Sequence, residues 1–277
     1  VLINGGSCDF YAASVLPGGQ TGSSYYGNGV ALGDWNADGL LDAYIGPDKL
    51  LINTGTGAYV ASSTSASSTY SLTLADLNGD GYLDASYTDY SLSATVLLND
   101  GSGSLSTTVT LAGSSGNTKW TAMGDLNGDG KADIVVATAG DDQVLINGGD
   151  GTSYTASTLA TADFSSQVVM ADCDGDGDLD VIFSNQASSG NKLLLNDGSA
   201  TFTTVTLPGN TGDTRGVAFG DLNNDGHIDI ILGHGNHNDQ VLLNSGSSSG
   251  TLFATATDLP GVKLTTNKVA VGDRRAT

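Results

Sequence analysis

Five short stretches of this chain carry oxygen-bearing side chains at alternating positions, an arrangement that suits the binding of a hard cation. The first stretch reads DWNADGLLD and starts at Asp34; the others start at Asp76, Asp125, Asp172 and Asp221. Side-chain oxygens stand at loop positions one, three, five and nine, a glycine at position six permits the turn, and the backbone carbonyl at position seven faces inward. All-oxygen coordination with several carboxylates suits Ca²⁺ better than Mg²⁺. The pattern therefore predicts about five Ca²⁺ ions, one for each loop.

The predicted ligands are the residues at positions one, three, five, seven and nine, with position seven acting through its carbonyl alone. They are Asp34, Asn36, Asp38, Leu40 and Asp42; Asp76, Asn78, Asp80, Tyr82 and Asp84; Asp125, Asn127, Asp129, Lys131 and Asp133; Asp172, Asp174, Asp176, Asp178 and Asp180; and Asp221, Asn223, Asp225, His227 and Asp229.

These loops differ from an EF-hand, because position twelve lacks the bidentate glutamate and no helical period surrounds them. Position twelve is instead Ile45, Tyr87, Val136, Phe183 or Leu232. Asp, Asn and Gly also form ordinary turns, and a single copy would leave that interpretation open. Five copies in register, each ending in an acidic residue that interrupts an apolar run, favour calcium loops between β-strands.

The loops mark a long internal repeat. Successive loop starts are 42, 49, 47 and 49 residues apart, a period typical of β-propeller blades. Each unit has an apolar segment before the loop, a second after it, a third that ends in asparagine and a glycine-containing turn, and a more polar fourth. We therefore predict an all-β fold, a β-propeller of four-stranded blades, with residues 1–277 forming one domain.

The two ends of the sequence bear on the blade count. The chain begins with VLINGG, which resembles a third strand, and a sixth apolar-Gly-Asp segment runs from Val269 to Asp273. These segments predict six blades, with seven as the alternative, and termini that share an incomplete sixth blade. A piece of a longer propeller would have the same ends.

Composition excludes several functions. The formal net charge is -21, all thirty acidic residues are aspartate, and there are only nine Lys plus Arg. Nucleic-acid binding is excluded by this charge, because phosphate contacts need clustered cations. Apolar runs are too short to cross a bilayer. Cys8 and Cys173 are too few for a disulfide scaffold, and Cys173, at loop position two, is predicted to be a small buried hydrophobe.

A second set of residues precedes the first strand of each repeat, at the end of the strands opposite to the loops. Aromatic side chains beside amide and cationic groups suit sugar rings, which stack their apolar faces and hydrogen-bond through hydroxyls. The alternative is that the aromatic rings only shield the ends of the core. The predicted ligand-binding residues are Tyr26, Tyr70, Lys119, Trp120, Gln167 and Arg215, accompanied by Tyr25, Asn28, Asn267 and Lys268.

The five loops, together with hairpins such as LLNDGSGSL (97–105) and LLNDGSATF (194–202), resemble the FG-GAP or VCBS repeat family. That family includes the β-propeller heads of integrin α subunits and a fungal calcium-containing propeller lectin. The resemblance implies structural calcium on one face of the ring, between the first two strands of each blade. It does not imply a function, because propellers serve as enzymes, lectins and adhesion modules.

We expect a binding protein rather than an enzyme, because the sequence has no nucleophile elbow, no phosphate loop and no catalytic triad spacing. The prediction is a secreted, calcium-stabilised, lectin-like module that binds carbohydrate or glycoprotein and does not insert into membranes. The alternative is an adhesion or structural subunit of an extracellular or cell-surface assembly with a protein partner. His234 and His237 also raise the possibility of a transition-metal site.

Overall fold

In the computed structural model, the described residues are 2–4, 10–13, 30–45, 49–56, 58–63, 69–89, 93–101, 105–111, 117–159, 164–186, 190–209, 212–247, 251–260 and 265–271. All regular secondary structure in this part of the chain is β-strand, in agreement with the predicted all-β class. No helix in these ranges is long and apolar enough to cross a membrane.

Twenty of the strands form five antiparallel sheets, each built from four consecutive strands, which we call blades one to five. Blade one contains β3 (Val30–Gly33), β4 (Asp42–Ile45), β5 (Lys49–Asn53) and β6 (Tyr59–Ser63). Blade two contains β7 (Ser71–Ala75), β8 (Asp84–Thr88), β9 (Thr95–Asn99) and β10 (Leu105–Thr110). Blade three contains β11 (Thr118–Gly124), β12 (Asp133–Thr138), β13 (Gln143–Asn147) and β14 (Tyr154–Thr158). Blade four contains β15 (Ser165–Ala171), β16 (Asp180–Asn185), β17 (Lys192–Asn196) and β18 (Phe202–Thr206). Blade five contains β19 (Thr214–Gly220), β20 (Asp229–His234), β21 (Gln240–Leu242) and β22 (Thr257–Asp258).

Burial falls from the inner strands to the outer one. Every residue of β12 and β16 is buried, whereas every residue of β14 and β18 is half-buried or exposed. Near-continuous apolar strands are expected where both faces of a sheet are covered, and Ser/Thr-rich strands suit a solvated edge. The predicted order of four strands in each repeat is therefore confirmed in these five sheets.

The hydrophobic core is divided into layers that lie between neighbouring blades. One layer joins Ile182 and Leu193 of blade four to Val217 and Ile230 of blade five. Equivalent layers lie between blades three and four, two and three, and one and two. Cys173 is buried in one of these layers, as predicted, and burial raises the pKa of its thiol. The sheets thus stack face to face, and their first strands β3, β7, β11, β15 and β19 lie side by side in that order.

A buried asparagine ties each of blades two to five to the blade before it. Asn147, at the end of β13, donates from Nδ2 to the carbonyl of Leu77 in blade two at 2.6 Å and to its own blade's Ala132 carbonyl at 3.0 Å. Asn99, Asn196 and Asn244 make the same two kinds of bond, with 2.6 to 2.8 Å to the preceding blade. We call this pair of bonds the asparagine clamp. The sequence had suggested only a turn residue at this position.

A second connection lies at the opposite end of the strands. The Asp142 carboxylate of blade three accepts from the Thr138 N–H at 2.8 Å and from the Ser165 hydroxyl of blade four at 2.6 Å. Asp239 of blade five repeats this pattern, accepting from the His234 N–H at 2.9 Å and from the Thr266 hydroxyl at 2.8 Å. Each carboxylate therefore joins the end of its own second strand to the next stretch of chain.

Residues 265–271 occupy the position of a further first strand beside blade five. The Thr266 N–H donates to the His234 carbonyl at 2.9 Å, and a Cβ placed on Gly216 would lie 3.1 Å from the Lys268 Cα. The sixth apolar-Gly-Asp segment of the sequence begins here at Val269, and its last two residues lie outside the described residues. At the other end of the chain, β1 (Leu2–Asn4) pairs with β2 (Phe10–Ala13) in a two-stranded sheet. The blade count, and a sixth blade shared by both termini, remain predictions.

Removing the asparagine clamp should lower the free energy of unfolding. We expect Asn147→Ala to lower the free energy of unfolding by about 2–4 kcal/mol, because the Leu77 and Ala132 carbonyls would stay buried without their donor. Urea unfolding in saturating calcium measures this loss. Asn53→Ala is the matched control, since Asn53 is half-buried and, in the described residues, its Nδ2 donates only to the Leu41 carbonyl. Equal losses in the two variants would contradict a role in joining blades.

Candidate functional site

The five acidic loops connect the first and second strands of blades one to five, and they lie at one end of the stacked sheets. Glycine occupies position six because the backbone there has a positive φ, between 81° and 100° in the five loops, which side chains other than glycine rarely adopt. A Cβ on Gly33, just before the first loop, would contact Leu83 at position eight of the second. Gly124 has the same relation to Leu179 of the fourth loop. Neighbouring loops therefore share one face.

Each loop is shaped by hydrogen bonds to its own aspartates. The glycine N–H at position six donates to the first aspartate, as Gly39 does to Asp34 at 2.8 Å, and all five loops repeat this bond at 2.7 to 3.1 Å. The position-seven N–H donates to the aspartate at position five, as Leu40 does to Asp38 at 2.9 Å, again in all five. These bonds bring the loop oxygens together before any cation is considered.

The aspartate at position nine is a buried carboxylate that both organises the loop and supports the asparagine clamp. Asp133 is fully buried and accepts from the Leu126 N–H at 3.0 Å and from the Asn147 N–H at 2.8 Å. The other four loops repeat both bonds. Each carboxylate oxygen has two acceptor sites, so one remains on each oxygen for a cation. The predicted metal site and the blade interface thus share one residue.

The donor set fits Ca²⁺. Every loop offers carboxylate and backbone carbonyl oxygens at the predicted ligand positions, and all but the fourth add an asparagine amide oxygen at position three. Such all-oxygen donor sets suit a hard cation. In the fourth loop, ligand oxygens of Asp172, Asp174 and Asp176 lie within 4.8 Å of one another. Positions one, three, five and nine would hold the ion through side chains and position seven through its carbonyl. Bound Ca²⁺ would supply positive charge to these clustered carboxylates.

The pKa values of several loop carboxyls show the electrostatic cost of this clustering. Burial, opposed by hydrogen bonds from Asn196 and Cys173 and reinforced by the charges of Asp174 and Asp176, raises the pKa of Asp180 to about 6. Burial also raises the pKa of Asp84 and Asp133. A divalent cation would favour the charged form of each group.

Several side chains at position seven lie against the turn that follows the third strand of the same blade. The Tyr82 ring covers Gly101 and the His227 ring covers Gly246, each in the turn after the third strand of the same blade. The Lys131 ammonium lies 3.7 Å from the Asp129 carboxylate and donates to the Gly148 carbonyl at 3.3 Å. The prediction that position seven acts through the backbone is consistent with this placement.

The opposite face carries the second predicted set of residues. Several of them lie at or beside a register shift in the first strand of their blade. The register of β11, β15 and β19 against their partners shifts at Lys119, Ser166 and Arg215. Such β-bulges redirect side chains and are common near functional sites. Tyr70 holds the same place before β7, six residues ahead of its loop aspartate. Tyr26, Tyr25 and Asn28 lie outside the described residues.

Two members of this set are buried. Lys119 is 3% exposed, with its ammonium 3.5 Å from the centroid of the Phe164 ring and 3.3 Å from the Gln186 Oε1. Burial lowers the pKa of Lys119 to about 8. Gln167 is also buried, and its Oε1 accepts from the Val217 N–H of blade five at 2.9 Å. Both side chains make buried contacts within the protein at this face. Their roles in ligand binding remain predictions.

The remaining members are accessible and lie close together. Trp120 is half-buried, and the ammonium of the exposed Lys268 lies 4.9 Å from its ring centroid. The Arg215 guanidinium binds the Asp213 carboxylate at 2.8 and 3.1 Å and donates to the Asn267 Oδ1 at 3.2 Å. The hydrogen bonds that Arg215 donates to the Asp213 carboxylate, together with the charge of that carboxylate, raise the pKa of Arg215. Trp120, Arg215, Asn267 and Lys268 form what we call the mouth cluster.

The two late histidines do not assemble a metal site with acidic neighbours in the described residues. The His234 and His237 rings are 6.1 Å apart, and His234 is buried with its Nδ1 3.2 Å from the Thr214 hydroxyl. In the same part of the chain, the one group of three His, Cys or acidic side chains close enough to share an ion is in the fourth loop.

Comparison with protein families identifies the repeat. The FG-GAP-like repeat matches residues 76–136, 125–183 and 172–232. These matches cover more than half of the chain, and the chain therefore belongs to the FG-GAP-like repeat family, as the loop motifs had suggested. A search among curated proteins finds no match.

Solved structures show the same architecture. The chain is similar to a lectin from Agrocybe aegerita that specifically recognises non-reducing terminal N-acetylglucosamine (TM-score 0.59, 19% identity), over 82% of this chain and 65% of the lectin chain. This chain thus covers slightly less than two thirds of that lectin. Weaker similarities link it to the Photorhabdus luminescens Tc holotoxin pore (TM-score 0.43, 22% identity, 82% of this chain and 11% of the other) and to the V. cholerae biofilm matrix protein Bap1 (TM-score 0.42, 16% identity, 78% and 37%). At 19% identity the similarity to the lectin shows the fold alone.

Removing calcium should destabilise the protein. A site held at one hundred times its Kd contributes about 2.7 kcal/mol, and in a chain of this size each kcal/mol shifts the Tm by roughly 2–4 °C. We therefore expect excess chelator to lower the Tm by more than about 10 °C when all loops are emptied. Calorimetry with and without chelator measures the shift, and re-added calcium should restore it. Superimposable melting curves would contradict calcium binding by the loops.

Removing one charge from the fourth loop should have different effects in the calcium-free and the calcium-bound protein. In three other loops, asparagine at position three donates from Nδ2 to the aspartate at position five at 2.8 to 3.0 Å. Asp174→Asn would allow this bond and remove one repulsion, so we expect the Tm in chelator to rise by about 2 °C. Calcium titration should show weaker binding at one site.

Asp178→Asn is the matched control for this loop. It removes the same charge at position seven, where the side chain lies against Gly198 rather than among the ligands. If both variants weaken calcium binding equally, net charge alone controls affinity and the assignment of Asp174 as a ligand is wrong.

Proposed function

We propose that this protein is a carbohydrate-binding, lectin-like β-propeller that binds saccharides at the mouth cluster and is stabilised by calcium on its other face. The observation that carries the proposal is the half-buried Trp120, which presents an aromatic face among polar groups of Arg215, Asn267 and Lys268. Sugar rings stack on such faces and hydrogen-bond to amide and charged groups around them.

Two further features support a binding role over catalysis. The lectin from Agrocybe aegerita shares this fold and recognises N-acetylglucosamine, which makes that sugar a reasonable first test ligand. Carboxylates that could act as general acids or bases near the mouth are already engaged: Asp213 binds Arg215, Asp142 binds Ser165, and Asp239 binds Thr266. A glycosidase needs a carboxylate pair that is free to reach the scissile bond.

Calcium has a structural part in this proposal. The loops lie at the end of the strands opposite to the mouth cluster, so the ions would stabilise the blades and would not contact the sugar. Calcium loops of extracellular modules bind the ion weakly, at about 10⁻⁴ to 10⁻³ M. We accordingly propose that the protein works outside the cell, where calcium is abundant enough to fill such sites.

Trp120 is the residue to test first. We expect Trp120→Leu to weaken saccharide binding at least about tenfold, because the stacking face is lost. A glycan array identifies ligands for the native protein, and isothermal titration compares the variants in saturating calcium. Tyr59→Leu, which replaces an aromatic residue on the outer strand β6, should bind normally.

A native protein that binds no glycan at high concentration would contradict the proposal. If sedimentation then showed calcium-dependent self-association, the adhesion or structural role expected as the alternative would be favoured.

A further inference from the structure

Two of the acidic loops carry an asparagine directly before a glycine, at loop positions three and four. These pairs are Asn78–Gly79 in the second loop and Asn127–Gly128 in the third. The first and fifth loops have Asn36–Ala37 and Asn223–Asn224 at the same positions. Glycine has no side chain to obstruct the approach of its backbone nitrogen to the carboxamide before it. The second and third loops therefore differ from the others in chemical reactivity as well as in sequence.

The reaction open to an asparagine-glycine pair is deamidation. The glycine nitrogen loses its proton and attacks Cγ of the asparagine, the Nδ2 group leaves as ammonia, and a cyclic imide forms. Water then opens the imide at one of its two carbonyl groups, which gives aspartate or isoaspartate. The reaction needs water alone as a co-reactant, so its rate depends on how freely the nitrogen and the carboxamide can meet.

In the folded loops the attacking nitrogen is held away from this reaction. The Gly79 N–H donates to the Asp76 Oδ1 at 2.8 Å, and the Asn78 Oδ1 accepts from the Asp80 N–H at 3.0 Å. The third loop repeats the two bonds at 2.8 and 3.1 Å. Because the nitrogen must leave the aspartate carboxylate before it can attack, the reaction requires the loop to open.

Bound calcium would oppose this opening. The Asn78 oxygen and the Asp76 carboxylate are predicted ligands of the same ion, so the cation would hold both the carboxamide and the group that binds the Gly79 N–H. Without a cation, the clustered carboxylates of the loop repel one another and favour opening. At one hundred times the Kd, the population of any state that cannot bind the ion falls about a hundredfold.

We propose that Asn78 and Asn127 are deamidation sites under the control of calcium. They are protected while their loops hold the ion, and they are converted to aspartate or isoaspartate when the loops are empty. The second and third loops thereby keep a permanent chemical record of calcium loss. This inference rests on the calcium binding in the proposed function and adds a modification that the ion controls.

The two products have different effects on the loop. Aspartate is accommodated at position three, since Asp174 holds that place in the fourth loop. Isoaspartate adds a methylene group to the backbone between positions three and four, which would displace the position-five aspartate from the ligand set. Either product adds a negative charge to a loop that already has three aspartates at ligand positions. Deamidation therefore increases repulsion in the empty loop.

The chain contains its own control outside the loops. Asn147–Gly148 is the same pair, but Asn147 is buried and its Nδ2 donates to the carbonyls of Leu77 and Ala132. The Gly148 N–H donates to the Ser153 carbonyl at 2.8 Å. We expect Asn147 to react only when the whole protein unfolds. Its modification therefore reports global unfolding and distinguishes it from the opening of a loop.

The test incubates the full chain in mildly alkaline buffer, either in excess calcium or in excess chelator, below the melting temperature measured in chelator. Peptide mass spectrometry follows the mass increase that accompanies the replacement of each amide by an acid. We expect Asn78 and Asn127 to deamidate at least about tenfold faster in chelator than in calcium. Asn36, Asn223 and Asn147 should stay intact in both.

Gly79→Ala is the matched variant. The backbone at Gly79 has a φ of 76°, and Ala37 occupies the same loop position with a φ of 56°. A Cβ on Gly79 would meet no atom of the described residues within 4 Å. The variant should therefore fold and bind calcium. We expect deamidation of Asn78 in chelator to slow at least about tenfold, because the added Cβ obstructs the attack, and that of Asn127 to stay unchanged.

The outcomes separate this inference from calcium binding itself. Equal rates at Asn78 and Asn127 with and without calcium, in a protein that calcium still stabilises against heat, would overturn the inference while calcium binding stood. Reaction of Asn147 in step with the loop asparagines would also overturn it, because global unfolding would then be the cause. If calcium neither binds nor raises the Tm, the structural role proposed for calcium and this inference fail together.

Discussion

Each pair of neighbouring blades is joined by a buried carboxylate and a buried carboxamide that meet at the end of one loop. Asp133 accepts two backbone N–H groups, one from its own loop and one from Asn147, and Asn147 in turn donates to the carbonyl of Leu77 in the blade before. Buried backbone polar groups without partners are costly. Stacked sheets expose such groups at their ends, and this arrangement satisfies them while it fixes the distance between blades.

The same carboxylate belongs to the predicted calcium loop, so calcium binding there would be coupled to blade stacking. An ion that neutralises the loop would stabilise the position-nine aspartate, on which the asparagine clamp depends. A ligand that binds only the folded protein raises the stability of the folded state. Calcium in this architecture would act on the interfaces between blades as well as on the loops themselves. The apolar layers provide most of the contact area, but they are non-directional. The polar connections at both ends of the strands give the stack its register.

The two faces of the ring differ in how strongly their residues repeat. Loop positions one, five, six and nine are the same in all five copies, as are the asparagines that end the third strands. At the opposite face, residues at equivalent positions differ from repeat to repeat. One such position holds Tyr70, Lys119, Ser166, Arg215 and Asn267. The next position in each repeat holds Ser71, Trp120, Gln167, Gly216 and Lys268. A repeated structural requirement favours the same residue in every blade, whereas one asymmetric ligand needs different residues around a single opening. This contrast directs attention to the mouth cluster.

The sequence by itself determined the all-β class, the four-strand repeat, the place of the loops and the burial of Cys173, because these depend on local spacing and on the period of apolar residues. It also singled out Trp120 and Arg215. Only the tertiary structure decided that Asn147 reaches Leu77, that Lys119 and Gln167 are buried, and that Lys268 lies over Trp120. Those contacts join residues about 50 to 150 positions apart, and they depend on how blades are rotated against one another. No local pattern encodes that rotation, since it results from the packing of whole sheets.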